Sequence, residues 1–512
     1  MKFDSLIFRA GALAATVFAM SPSLLAQGDK PNYPMPTAKP SKPPIIDPQS
    51  AVVDVPKEEF RSQFRPWLEI PQSFSLEDQL ATYRKEPVVD TSRPLLNLGR
   101  PMYEAGPLKN YPNLLGNLNP TTPHLMVYGD SRTAAGFSRD QNLDVARLAT
   151  RLNLDIDVQI TATERIHAFV RPFDKGGRVM STDFGGADGG DDDFVLDGNF
   201  DTLFFEGDLG PMAQGITGVR NTADMPFAVG LIPLLFQNGV WVEDAFVGAA
   251  FTIPAMNSPK FDISNMDVTF FAGFDDVSSG AVKNEGVNTE GGTRLVGATS
   301  FIEVLSGYSE IGYGIASNTG DAKDIEAHNF TASFTRRYWD WLSNSVRVIV
   351  SAGEEIDTGV LLLLENSFRT REPYSLIPYF NMFVGVGSPE SLARDAGAGG
   401  VLKNTGINFE ADALTLFPRL DDTAHDRVGA AFGVEYLPNL FTAPHRQQIV
   451  VELAALHSYD KATGDLGDQA ALGARYQIAL TNSWILRFDV MGGVVEEGNT
   501  LAGLRAEIRK KW

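Results

Sequence analysis

Residues 151–161 read Arg-Leu-Asn-Leu-Asp-Ile-Asp-Val-Gln-Ile-Thr. Leu152, Leu154, Ile156, Val158 and Ile160 alternate with polar neighbours. A helix of 3.6 residues per turn would spread those aliphatics around its whole circumference; a strand puts all of them on one face. The same period of two returns along the chain. Ile166, Ala168 and Val170 oppose Arg165, His167 and Arg171. Leu472, Ala474, Tyr476, Ile478 and Leu480 oppose Gly473, Arg475 and Gln477. Trp484, Leu486, Phe488 and Val490 oppose Arg487 and Asp489, and Ala502, Leu504, Ala506 and Ile508 oppose Arg505, Glu507, Arg509 and Lys511. Weaker segments of the same kind cover 125–137, 203–209, 227–236, 240–253, 266–274, 294–305, 308–318, 328–340, 346–354, 360–369, 376–386, 428–437 and 448–457, separated by Gly, Asp, Asn and Pro. The pattern predicts an all-β, antiparallel up-and-down barrel over residues 122–512 with about 16 strands, in the range of about 14–18.

Alternation by itself also fits a soluble sandwich or propeller with one face in a core. Two features favour a membrane barrel. The polar face of many strands carries both signs of charge, while the other face is nearly free of charge. A Lys or Arg facing lipid at the bilayer midplane costs about 2–4 kcal/mol, so a lipid-wetted face excludes it. Aromatics also gather at strand ends: Tyr338, Trp339, Trp341, Tyr436, Tyr476, Trp484 and Trp512. Such rings suit a membrane–water interface.

The N-terminal part is different. Lys2 and Arg9 precede an apolar run from Ala10 to Met20, then Ser21, Pro22 and a cleavage site expected after Ala26. This is the layout of a secretory signal peptide over residues 1–26. No later apolar run reaches the roughly 18 residues a spanning helix needs, so any later membrane crossing must be made by strands. Residues 27–121 form an extension that starts Pro-rich, with Pro31, Pro34, Pro36, Pro40, Pro43, Pro44 and Pro48. Fixed φ angles and missing N–H donors favour an extended tether there. Ser75 and Asp78, with Leu76, Leu80 and Tyr83 on one face, suggest one helix. The segment reads equally as periplasmic or as a plug.

The chain stops at Trp512 with Ile508 and Leu504 behind it on one face of the last strand. This resembles the terminal-strand signal of bacterial outer-membrane β-barrel proteins, and the texture from His124 onward resembles the porin superfamily at the level of class. The resemblance implies recognition by the outer-membrane assembly machinery, residence in outer-membrane lipid and, among porins, homotrimers. Lys510 departs from the pattern, standing where an apolar residue is usual; its stem permits snorkelling to the headgroups.

Composition narrows the chemistry. The chain has 512 residues, no Cys and a formal net charge of −21. Absent Cys removes disulfides, thiolate metal sites and thiol nucleophiles. So acidic a chain, with no basic patch, is not a nucleic-acid binder. Phosphate-loop, dinucleotide, Gly-x-Ser-x-Gly and His-Glu-x-x-His motifs are absent, so no enzyme is expected. The six His are scattered. A barrel hydrolase using distant Ser and His stays as a minor alternative.

Two local features suggest sites. The acidic stretch from Asp188 to Asp193 continues into Asp197, Asn199 and Asp201. Asp191, Asp193, Asp197, Asn199 and Asp201 are candidate Ca2+ ligands, since hard cations prefer several carboxylate oxygens; a solvated acidic loop is the simpler reading, and no other cofactor is expected. The second feature is the lumen-side parity of Asp155, Asp157, Arg165, Arg171, Arg475, Arg487, Asp489, Arg505, Glu507 and Arg509. Opposed charges along a pore would filter small polar solutes; lateral pairing that braces a closed barrel is the competing reading. The function expected is a porin-like passive channel for small hydrophilic solutes or ions. The alternative is a non-channel barrel that binds a ligand or surface through loops such as 176–197 and 277–292.

Overall fold

The computed structural model describes residues 94–99, 114, 116 and 118–512, apart from 141–142, 185–191, 283–291, 319–324, 355–357, 374, 439–445, 460–465 and 497–498. The expected signal peptide, the Pro-rich tether and the helix near Ser75 lie outside these residues.

The strands follow the two-residue period closely. A short β1 (Leu96–Gly99) precedes β2 (His124–Asp140), β3 (Leu143–Gln159), β4 (Arg165–Val170), β5 (Asp174–Lys175), β6 (Arg178–Phe184), β7 (Asp192–Asp193) and β8 (Phe200–Asp208). A helix α1 (Leu209–Thr217) leads into β9 (Pro226–Phe236), β10 (Val242–Ser258), β11 (Ile263–Asp275), β12 (Thr293–Val304), β13 (Gly307–Asn318) and β14 (Ile325–Tyr338). Then come β15 (Leu342–Gly353), β16 (Gly359–Phe368), β17 (Leu376–Val386), the two-residue β18 (Ala393–Arg394) and β19 (Arg427–Tyr436). The chain ends with β20 (Gln447–Ser458), β21 (Gln469–Ala479), β22 (Trp484–Val495) and β23 (Asn499–Lys511).

Long strands pair antiparallel with their sequence neighbours, and β23 returns to pair with β2, from Asp130↔Lys511 to Arg139↔Ala502. That last pairing closes an antiparallel barrel of 18 strands, the upper end of the expected range. β4 covers one half of β3 (Leu154↔Val170 to Gln159↔Arg165) and β6 the other (Ala146↔Phe184 to Thr150↔Met180). The 176–197 segment, expected as a long loop, therefore contributes part of the wall. β1 pairs with the start of β2, Leu96↔Val127 to Gly99↔His124, where β23 no longer reaches, so the sheet begins before residue 122.

The two rims differ. At the rim that carries Trp512 several strands turn tightly: a two-residue loop, Leu305–Ser306, joins β12 to β13 and a three-residue loop, Trp339–Trp341, joins β14 to β15, with positive φ at Leu305, Ser306, Trp339 and Asp340. The other rim carries the segment 387–426. Short turns mark the periplasmic end of an outer-membrane barrel and long connections the outer end. Trp339 stacks on Trp341 at 5.8 Å and Trp341 on Phe368 at 6.0 Å at the short-turn rim. Lys510 lies over the Trp484 ring, 5.2 Å from its centre, so its charge sits at this rim and not in the belt.

Burial along the strands is inverted relative to a soluble fold. Leu453, Leu472 and Leu504 are 57%, 55% and 58% exposed, while their neighbours Glu452 and Arg505 are 0% and 6% exposed. Among the described residues no second sheet covers the aliphatic rows; they form the outside of the ring. Water would penalise so large a greasy surface, and lipid does not.

The inside is partly filled by two pieces of chain. The tip between β9 and β10 leans inward: Trp241 is fully buried, its indole N–H donates to Asn329 Oδ1 at 2.8 Å, and its ring packs edge-on to Phe271. Residues 387–426 enter after β17 and cross the interior. Leu402, Phe409 and Leu420 bury against Ile349, Leu361, Phe383, Ala454 and Ala471 of the wall. Strand β18 pairs parallel with Val242–Glu243, joining the two inward pieces.

Candidate functional site

The cross-strand register fixes which charges meet. Arg475, Asp489 and Arg505 stand in one inward row on β21, β22 and β23. Asp489 accepts from all three neighbouring guanidiniums: Arg475 Nε at 2.7 Å, Arg487 Nε at 2.8 Å and Arg505 at 3.0 Å. The inward segment supplies the remaining acids. Glu410 pairs with Arg475 and with Arg487 Nη2, the latter at 3.1 Å, and Asp412 Oδ2 lies 2.7 Å from Arg505 Nη1. Burial acts to raise the pKa of Glu410, but Arg475 and Arg487 outweigh it and hold the carboxyl below its ordinary range. Burial likewise opposes ionisation of Asp412, and Arg505 with the Thr415 hydroxyl overrides it. Both acids stay charged at neutral pH and clamp residues 387–426 to the wall.

Next around the ring, Arg509 Nε and Arg132 Nε both bond Asp130 Oδ2, at 2.8 and 2.7 Å. Arg147 makes a two-pronged contact with Asp183 at 2.6 and 2.7 Å, and Arg151 reaches Asp174 at 2.6 Å. Arg165 pairs with Asp157 at 3.4 Å, and Arg171 with Asp201 at 2.5 Å. His167 stacks on Phe204, ring centres 5.1 Å apart, with Nε2 2.9 Å from Glu206.

The ten charged positions expected to line the lumen thus share the inward side, in two groups. Arg475, Arg487, Asp489, Arg505, Glu507 and Arg509 gather on β21–β23, and Asp155, Asp157, Arg165 and Arg171 on β3–β4. The pattern could not show that partners would come from elsewhere: Glu410, Asp412, Asp130, Asp183 and Asp174 all escaped it. One signal was available. Several inward positions are Gly where a lumen charge would be expected. A Cβ on Gly473 would stand 2.3 Å from Asn408 Oδ1, and one on Gly503 2.6 Å from Pro418 Cδ. Those glycines are where the crossing segment touches the wall.

The acidic candidates behave differently. Asp191 lies outside the described residues. Asp193 faces Arg178 at 3.5 Å, Asp201 is taken by Arg171, and Asp197 Oδ1 accepts the Asn199 amide at 3.0 Å. Among the described residues, no three His, Asp or Glu side chains gather into a metal-holding group. Of the histidines, His445 lies outside the described residues. The other five contact Asn97, Glu206, Tyr313, Glu390 and Asp468, none of which is a serine.

Polar charges inside, bare aliphatics outside and a ring without edges settle the architecture. The chain is a closed, 18-stranded transmembrane β-barrel. No protein-family model matches this barrel, and no curated protein matches it in sequence. Solved structures do resemble the barrel. OccK5 (OpdH) of Pseudomonas aeruginosa superposes with a TM-score of 0.49 at 10% identity, covering 76% of this chain and 97% of that one. OccK7 (OpdD) of the same organism gives 0.49 at 12% identity, covering 76% and 98%. OccK2 (OpdF), solved in complex with glucuronate, gives 0.47 at 9% identity, covering 76% and 97%.

Proposed function

We propose that the barrel is a passive channel through which small hydrophilic solutes diffuse across the outer membrane. The observation that carries this reading is the clamped crossing segment. Residues 387–426 narrow the lumen without turning it apolar, because Glu410, Asp412 and their arginines line the narrowing with charge. Leu402, Phe409 and Leu420 already hold the segment to the wall, and buried ion pairs are poor sources of stability, so the charge lining the rest of the narrowing is not needed for closure. Each arginine described above has an acidic partner, so among the described residues no bare cationic stripe runs along the lumen and strong anion selectivity is not expected. Export by the N-terminal signal and delivery to the assembly machinery by Trp512, Ile508 and Leu504 belong to the same reading. Trp512 closes the ring by exchanging two backbone hydrogen bonds with Gly129, both 3.1 Å.

The test is planar-bilayer recording on the purified protein, paired with liposome swelling. Discrete, ohmic current steps and solute-dependent swelling are expected. A protein that inserts and stays electrically silent, with swelling no faster than empty liposomes, rules the channel out.

A further inference from the structure

Across the lumen from the arginine clusters, the wall from β13 to β17 is built differently. Register places Tyr308, Thr335, Ser345, Glu365 and Asn381 in one inward row. The row on its periplasmic side contains Ser343, Ser367 and Tyr379, and the row on its outer side Glu310 and Arg347. Together with Asn238 of the inward tip they line an open pocket of about 500 Å3, within the span of about 300–1,000 Å3 usual for small-molecule sites. None of its lining residues is aliphatic.

The chemistry of the lining selects among ligands. Hydroxyls and carboxamides both donate and accept, which is what a ligand made of alcohols also does. Thr335 Oγ1 already donates to Ser345 Oγ at 2.9 Å, so the pair offers one free donor and further lone pairs. Arg347 is the pocket's one cation, and Glu365 holds it at 3.0 Å. With Glu310 and Glu365 against the single Arg347, the lining sets two carboxylates against one guanidinium, which disfavours an anion. Tyr308, stacked on Phe301 at 5.1 Å, and Tyr379, whose hydroxyl donates to Glu452, add aromatic carbon to the lining, suited to the C–H groups of a sugar ring.

We infer that this pocket is a binding subsite for neutral polyhydroxylated solutes of the pyranose sugar type. It lies under the inward tip and beside the crossing segment, whose Thr405 carbonyl takes the Asn381 amide at 2.5 Å. It rests on the channel reading for its purpose, since a solute halted there would be one in transit.

The experiment is calorimetric titration of the full-length protein in detergent with glucose, glucuronate and choline as probes, alongside bilayer recording of the same preparation. Glucose is expected to give saturable heat and to interrupt the current. Glucuronate and choline are expected to bind at least about tenfold more weakly. A Thr335→Val, Ser345→Ala double variant should weaken glucose about tenfold, and Glu310→Gln should strengthen glucuronate by a similar factor. The unfolded share of each variant is read by gel mobility before heating. Conduction without glucose heat overturns the subsite, as does tighter binding of either charged probe, or glucose affinity unmoved in a folded double variant. Glucose heat in a silent protein overturns the channel and leaves the subsite standing.

Discussion

Replacing Asp412 by Ala should loosen the crossing segment without disturbing the barrel around it. The carboxylate is 13% exposed and its partner Arg505 only 4% exposed, at 2.7 Å. A hydrogen bond to a charged group contributes about 1.5–3 kcal/mol. Stranding a buried charge completely costs about 3–5 kcal/mol, but Arg505 keeps Asp489 at 3.0 Å, so the lower range applies. Asp412 also accepts the backbone amides of Leu414 and Thr415 at 3.1 and 3.2 Å, and their loss falls on the same short turn. A net loss of about 2 kcal/mol shifts the docking equilibrium of the segment roughly 30-fold. Single-channel recording should show this as more frequent excursions between current levels. The unbalanced guanidiniums should also move reversal potentials toward anion preference. Hydrogen exchange should rise over residues 400–424 and stay unchanged in the strands facing away from the segment. Current traces and exchange indistinguishable from the parent protein would refute the clamp.

Four further outcomes follow from the same geometry. The folded pKa values of Glu410 and Asp412 lie below the ordinary 4.5 and 3.8, so their stabilisation is complete above those values and is lost as pH falls through the depressed ones. Current noise should therefore rise only below about pH 4; a transition between pH 6 and 8 would contradict the assignment. Gly503→Val should drive a side chain into Pro418 and cost about 1–3 kcal/mol of packing, read as faster exchange over the crossing segment with β23 still protected. Leu504→Arg, one position away but on the lipid side, should lower the free energy of folding into bilayers by about 2–4 kcal/mol in urea titrations. Trp241→Ala should cost about 3–5 kcal/mol and leave Asn329 Oδ1 without its donor, detected as a lower denaturation midpoint of the outer rim.

The sequence by itself determined the wall. A period of two assigns each side chain to one face, and the charge-free aliphatic rows with aromatics at the strand ends favour a ring in lipid over a soluble sandwich. Leu152 to Ile160, or Leu504 beside Arg505, already state which side meets lipid. Strand number was legible to within two, because turns are marked by Gly, Asp and Asn but strand ends are not. The interior was decided by tertiary structure. Residues 387–426 have no period to announce them, and their path depends on contacts made only after the ring closes. Which carboxylate neutralises Arg475 or Arg505 is likewise a matter of proximity across the lumen, between residues up to 93 positions apart in the case of Asp412 and Arg505. Local alternation fixes a direction for each side chain. Distance between side chains is set by closure, register and the segment that folds back inside.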